Sequence, residues 1–77
     1  MPTAFVFIRV KLGTCEIVYS ALAQMPNVQE VHMIYGKHDI IAKVTSTAMT
    51  DLQHFITHTI RQLGNVRATQ TIVVIDG

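Results

Sequence analysis

A short polar segment in the middle of the chain carries the residues best suited to hold a small charged molecule. It reads Tyr35-Gly36-Lys37-His38-Asp39 and lies between two apolar stretches. Exposed backbone amides beside a glycine can hold an anion, and a neighbouring carboxylate can pair with an amine. The segment is therefore suited to a zwitterion. The alternative is that Gly, Lys and Asp occur here only because they are common turn residues.

Two threonines near the carboxyl end form a second candidate site. Thr69 and Thr71 are two residues apart in an alternating stretch, so both hydroxyls should project from the same face of a strand. They could hydrogen-bond a ligand near the edge of a sheet, or they could be present because β-branched residues favour strands. The alternation alone does not decide between these interpretations.

The residues that could support catalysis or metal binding lack partners. His54 and His58 are four apart on a predicted helix, a spacing at which two imidazoles can share a metal ion, but no third ligand is indicated. Cys15 has no base or second cysteine associated with it. His38 and Asp39 resemble half of a catalytic pair, yet adjacent side chains on an extended chain point apart and no nucleophile is indicated. We predict no catalytic residue, no metal and no cofactor.

The composition indicates one small domain, residues 1–77, that associates with itself. The chain has 77 residues, of which 49% are hydrophobic and only 14% are charged, with a formal net charge of +1. An apolar surplus on so small a domain favours an oligomer. The six Lys and Arg residues are scattered, without the basic stripe that a nucleic-acid interface requires.

The same composition argues for an intracellular setting. No apolar run approaches the roughly 20 residues that span a bilayer, and the amino terminus lacks the features of a signal peptide. A single cysteine excludes an internal disulfide and favours a reducing compartment. We therefore expect a cytoplasmic protein that binds neither nucleic acid nor membrane directly.

The hydrophobic periodicity predicts the order strand, helix, strand, strand, helix, strand. The strands are expected at 4–11, 28–35, 40–45 and 66–75, and the first helix at 15–25. The second helix should follow a cap at Ser46 or Thr47 and stop at Gly64. Gly36 is expected to adopt a positive φ in a tight hairpin. Two strand-helix-strand halves predict an α+β, ferredoxin-like βαββαβ sandwich, a four-stranded antiparallel sheet with both helices on one face.

The other face of this sheet would be bare, and we expect it to form a dimer. Apolar residues occupy both faces of the predicted strands, which is typical of a sheet covered on both sides. Phe5, Phe7 and Met33 are predicted to lie in this sheet-on-sheet interface.

Two segments resemble a known family. Gly36 to Val44 resembles the glycine, any residue, aromatic or His, aspartate motif that begins the third strand of the ligand-sensing domain of leucine-responsive regulatory protein (Lrp)/AsnC-family transcription regulators. Val66 to Val73 resembles the final strand of that domain, with its paired threonines. The resemblance covers nearly the whole chain and implies a RAM (regulation of amino-acid metabolism) domain. Such domains dimerise through their sheets, assemble into rings of dimers (octamers or decamers) and bind amino acids between dimers.

The resemblance also implies roles for individual residues. Gly36 and its neighbouring backbone would hold the ligand carboxylate, and Asp39 would pair with the amino group. Thr69 and Thr71 would line the pocket from a strand of a neighbouring subunit. His38 stands where the family most often has Tyr. Full-length members carry a helix-turn-helix domain before this one, whereas the present sequence starts at the first predicted strand. We therefore expect a stand-alone domain that senses an amino acid alone or joins full-length relatives in a mixed ring.

Other function classes stay open at this point. A dimeric α+β barrel enzyme would place its pocket between sheet and helices, and His32, expected on an inner strand, is its only candidate residue. A structural adaptor without ligand is a third possibility, and the amino-acid-binding ACT domain shares the strand order and the ligand class. Two other ferredoxin-like classes fit less well. Copper carriers need a CxxC motif, which is absent, and RNA-recognition domains need exposed aromatic residues on their strands among basic residues, a pattern that this sequence lacks.

Overall fold

The computed structural model describes residues 2–75 and confirms the ferredoxin-like architecture. Its elements are β1 (Thr3–Val10), α1 (Cys15–Ala23), β2 (Val28–Met33), β3 (Ile40–Thr45), α2 (Met49–Phe55), a π-helical turn (Ile56–Ile60) and β4 (Val66–Val74). The strands form one sheet in the order β2-β3-β1-β4, and all neighbouring strands are antiparallel. Within residues 2–75, every helix is too short or too polar to cross a bilayer.

The core lies between the sheet and the two helices. Alternate residues of the central strands β1 and β3 point into it, because successive side chains of a strand project to opposite faces. The same layer receives residues from α1, from α2 and from the π-helical turn, so both helices cover one face, as predicted. The buried apolar residues are Ala4, Val6, Ile8, Val10, Val18, Leu22, Ile40, Ala42, Val44, Leu52, Ile56 and Ile60.

The opposite face of the sheet is uncovered and carries an apolar patch, with Lys43 opposite Phe5 and Gln70 opposite Phe7 as polar residues beside it. Phe5 and Phe7 of β1 lie on it, half-buried, and Phe5 is directly opposite Ile72 of β4 while Phe7 is opposite Ile41 of β3. We call this surface, formed by Phe5, Phe7, Ile41 and Ile72, the bare face.

Met33 does not share the bare face, contrary to the prediction that groups it with Phe5 and Phe7. It pairs with Ile40, which is fully buried in the core, so Met33 lies on the side of the helices. Directly opposite residues of an antiparallel pair share a face. The positions of β2 that do face the bare side carry Glu30 and His32. Alternation in the sequence separates the two faces of β2 but does not say which one the helices cover.

The second helix differs from the predicted regular α-helix. It begins at Met49 after Ala48, without a side-chain cap, and from Ile56 it widens into the π-helical turn, where the N–H of Arg61 donates to the carbonyl of Ile56 at 3.1 Å. The buried residues Leu52, Ile56 and Ile60 are spaced by four. An α-helix has 3.6 residues per turn, so such a row would drift around it, whereas a wider turn keeps all three residues against the sheet.

Candidate functional site

The predicted ligand-binding segment forms a loop, residues 34–39, between β2 and β3. The N–H of Ile34 donates to the carbonyl of Asp39 at 2.9 Å and closes the loop. Gly36 has a φ of 151°, a conformation that residues with a side chain rarely adopt, which confirms the expected positive φ. The loop is longer than the tight hairpin that the sequence predicts, because β2 ends at Met33 and not at Tyr35.

Asp39 ties this loop to β1 through both its backbone and its side chain. Its N–H donates to the carbonyl of Ile8 at 2.9 Å, and its Oδ2 accepts the N–H of Val10 at 2.9 Å. Oδ1 accepts no hydrogen bond from the rest of residues 2–75. One carboxylate oxygen is thus used by the fold, while the other is available to an amine.

Arg9 holds the loop from the side of the bare face. Its Nε and Nη2 both donate to the carbonyl of Lys37, at 3.1 and 2.8 Å. The ring of His38 lies against Phe7, with 5.7 Å between the ring centroids and 52° between the planes. No sequence motif marks Arg9 as part of the site; the one available signal is that Arg9 is the charged residue of β1.

The loop faces the connection between β1 and α1 across a cleft of about 380 Å³, here called the loop cleft. Gly36, Lys37 and Asp39 line it from one side. Tyr35 is fully exposed and, like His38, does not line it. The remaining lining residues come from the end of β1 and the start of α1 and are Arg9, Val10, Lys11, Leu12, Gly13 and Cys15.

Cys15 borders the loop cleft as a free, half-buried thiol. Its Sγ is 4.0 Å from the carbonyl oxygen of Asp39. Desolvation raises the pKa of Cys15, and the negative charges of Asp39 and Glu16 raise it further. Because the thiolate is the nucleophilic form, this environment works against nucleophilic catalysis.

Thr69 and Thr71 line a different cleft of the same protomer, between β4 and the second helix. They pair with Ile8 and Val6 of β1, so both side chains project toward the helix layer, which places them on one face as expected. This cleft, here called the threonine cleft, has a volume of about 400 Å³, and Leu52, Gln53, Ile56, Thr57, Arg61 and Val73 complete its lining. Strand β1 separates it from the loop, so one protomer does not bring the two candidate groups together.

The histidine pair on the second helix is not arranged to chelate a metal ion. The rings of His54 and His58 are stacked, with 4.1 Å between centroids and 20° between planes. The lone pairs of nearly parallel imidazoles run side by side instead of converging on one point. No cluster of three or more His, Cys, Asp or Glu ligands occurs within residues 2–75.

His32 does not lie on an inner strand, contrary to the sequence-based expectation. Strand β2 is at the edge of the sheet, and His32 points to the bare side, opposite Ile41. It is exposed, and its Nε2 is 3.3 Å from Oε1 of Glu30. It is therefore outside any space between the sheet and the helices.

A family model and the curated relatives point to the same protein family. A family model described as the Lrp/AsnC ligand binding domain matches residues 3–77. The HTH-type transcriptional regulator FL11 of Pyrococcus horikoshii is 31% identical over 72 residues, which are 94% of this chain and 47% of FL11. The chain thus spans about half the length of the curated relatives it matches, which are transcriptional regulators.

Solved structures agree with this assignment. FFRP-DM1 is 36% identical, with a TM-score of 0.95 over 97% of this chain and 100% of that one. The transcriptional regulator NMB0573 of Neisseria meningitidis, solved as a complex with L-Met, has a TM-score of 0.85 over 97% of this chain and 50% of its own, and at 19% identity it shows the fold alone. The resemblance carried by residues 36–44 and 66–73 is confirmed, and the chain belongs to the Lrp/AsnC ligand-binding (RAM) domain family.

Proposed function

We propose that this chain is a non-catalytic module that binds an amino acid and assembles through its sheet. The observation that carries the proposal is the geometry of Asp39. One of its carboxylate oxygens is fixed by the N–H of Val10, and the other is left to an incoming amine, beside the exposed backbone of Gly36. A carboxylate held in place loses little freedom when a ligand binds, which favours affinity.

In the proposed complex, the ligand is a zwitterion. Its ammonium group pairs with Oδ1 of Asp39, and the backbone around Gly36 and Lys37 donates to its carboxylate. Within one protomer, Thr69 and Thr71 lie in a separate cleft and do not reach the loop. In the proposed complex they therefore come from a neighbouring subunit and line the rest of the pocket. The fold similarity to the Neisseria regulator solved with L-Met supports an amino acid as the ligand class.

The proposed assembly begins with a homodimer through the bare face. Phe5, Phe7, Ile41 and Ile72 form an apolar surface larger than single scattered residues would, and such surfaces mark interaction sites. Dimers would then join into a ring, an octamer or a decamer, as the family resemblance implies. Since the matching relatives are transcriptional regulators, we propose a cytoplasmic location and full-length regulators as partners, without direct contacts to nucleic acid or membrane.

The proposal is tested by a thermal-shift screen against the standard amino acids, with the oligomer size of each sample measured by light scattering. A ligand that binds only the native state raises the melting temperature by mass action. We expect a few amino acids to raise it. A stable oligomer whose melting temperature none of them changes would contradict amino-acid binding.

A structural adaptor without ligand is the second candidate function. It is favoured by the fact that the contacts of Asp39 and Arg9 satisfy backbone groups of the fold itself, so both residues would be useful even without a ligand. The α+β barrel enzyme loses its candidate residue because His32 lies on the exposed side of an edge strand. The thermal-shift screen separates the sensor from the adaptor.

A further inference from the structure

We propose that the threonine cleft selects amino acids with a carboxylate side chain, and that Arg61 is the residue that selects them. This inference rests on the proposed amino-acid binding and adds the class of ligand. It is carried by the charge and the shape of the cleft that holds Thr69 and Thr71.

The cleft has a polar wall on each side. On β4, Thr69 and Thr71 offer two hydroxyls, and on the second helix Gln53, Thr57 and Arg61 offer an amide, a hydroxyl and a guanidinium. Hydroxyl and amide groups can donate to a carboxylate from several directions. A volume of about 400 Å³ is in the range of small-molecule sites and is ample for the side chain of one amino acid.

The π-helical turn keeps the helix wall straight. Gln53, Thr57 and Arg61 are spaced by four, like the buried row of Leu52 and Ile56 beside them. Because the N–H of Arg61 bonds to Ile56, five residues back, the wider turn holds both rows in line, one against the core and one along the cleft. In a regular α-helix, Arg61 would be rotated by about 40° from Thr57 around the helix axis.

Arg61 carries the single formal charge of the cleft lining. The lining contains no carboxylate, and the ion pairs of residues 2–75 join Glu30 to His32 and to Lys43 and do not involve Arg61. A guanidinium presents a planar fork of donors that matches a carboxylate with two parallel hydrogen bonds. The same positive charge repels an amino acid whose side chain ends in an ammonium group. Glutamate or aspartate therefore fits the cleft better than lysine or an apolar amino acid.

The test is calorimetric titration of the purified full chain with L-glutamate, L-glutamine and L-lysine. Glutamine matches glutamate in shape and lacks only its side-chain charge. We expect glutamate to bind about three- to fivefold more tightly than glutamine, because Arg61 is exposed and solvent weakens its pairing with a carboxylate. Arg61→Gln should abolish this preference, and Arg61→Lys should retain part of it.

Arg67→Gln provides the matched control, because Arg67 is an exposed arginine of β4 that does not line the cleft. This variant should keep the full preference for glutamate, with an unchanged oligomer size. Tighter or equal binding of a neutral amino acid, or a glutamate preference that survives Arg61→Gln, would overturn this inference and leave the amino-acid module intact. If none of the standard amino acids binds, the proposed function fails and this inference fails with it.

Discussion

The carboxylate of Asp39 accepts the backbone N–H of Val10 at 2.9 Å, just beyond the point where the pairing of β1 with β3 ends. The last backbone pair of these strands joins Ile8 to Ile40, so Val10 has no partner residue on β3. An unpaired N–H that is partly buried is costly, and Asp39 removes that cost. The residue proposed to bind the ligand is therefore also part of the sheet.

Substituting Asp39 should affect stability and ligand binding by separable amounts. Asp39→Ala leaves the N–H of Val10 without an acceptor, and we expect it to lower the free energy of unfolding by about 1–3 kcal/mol. Asp39→Asn keeps an oxygen at the same place and should cost less than half as much. Both variants should lose amino-acid binding, because neither offers a negative charge to the ammonium group.

Urea denaturation and calorimetry measure the two effects on the same samples. Light scattering should find both variants assembled as the parent is, since Asp39 is assigned to the loop and not to the bare face. Undiminished ligand affinity in Asp39→Asn would remove the assigned role, and equal stability of the alanine and asparagine variants would contradict the structural one.

The general architecture could be predicted from the sequence because it depends on local patterns. In β1 the alternation assigns Val6 and Ile8 to one face and Phe7 to the other, and the structure agrees. Gly36 marks the loop for a similar reason, since few residues other than glycine tolerate its φ. In both cases the physical cause lies within a few residues of chain.

The details that could not be predicted depend on contacts between distant segments. Arg9 meets Lys37, 28 residues away, only because the β2–β3 loop folds over the end of β1. Arg61 borders a cleft whose other wall is β4, and the π-helical turn that aligns it buries Ile56 and Ile60. The face of the sheet on which Met33 lies could not be predicted, because alternation does not show which side of β2 the helices cover.

The bare face and the helix-covered face should respond differently to a new charge. Phe7→Asp would bury an unpaired carboxylate if two bare faces meet, which costs several kcal/mol, so we expect monomers at micromolar concentration. Met33→Asp is the matched control, because Met33 is 48% exposed and lies on the side of the helices. Light scattering reports the mass, and circular dichroism confirms that both variants are folded. Phe7→Asp with an unchanged mass would contradict a dimer through this face.

Cys15 should react slowly with alkylating reagents. Burial and the nearby carboxylates raise the pKa of its thiol, so at a given pH a smaller fraction is thiolate than in the unfolded chain. The rate of reaction with iodoacetamide should therefore reach half of its maximum at a higher pH in the native protein than in the urea-unfolded chain. The raised pKa also means that Cys15 lowers the stability of the fold as the pH passes above its ordinary value, because the unfolded chain loses its proton first.

Cys15→Ser serves as the control for these measurements. It should react with no iodoacetamide and should lose less stability at alkaline pH than the parent. A native midpoint at or below that of the unfolded chain would show a thiol activated by its surroundings, contrary to the structure.

Arg9 should act on ligand binding by holding the loop in place. Arg9→Met keeps an apolar stem of similar length and removes both hydrogen bonds to the carbonyl of Lys37. The loop would then be ordered only when the ligand binds, and that ordering reduces the affinity, by about three- to fivefold for one exposed charged contact. Hydrogen exchange should be faster at the amides of Lys37 and His38 in the free variant and should slow again when ligand is added. Arg67→Met, at an exposed arginine of β4 that makes no hydrogen bond to the loop within residues 2–75, should change neither quantity. If Arg9→Met also leaves loop exchange unchanged, the two hydrogen bonds do not hold the loop in solution.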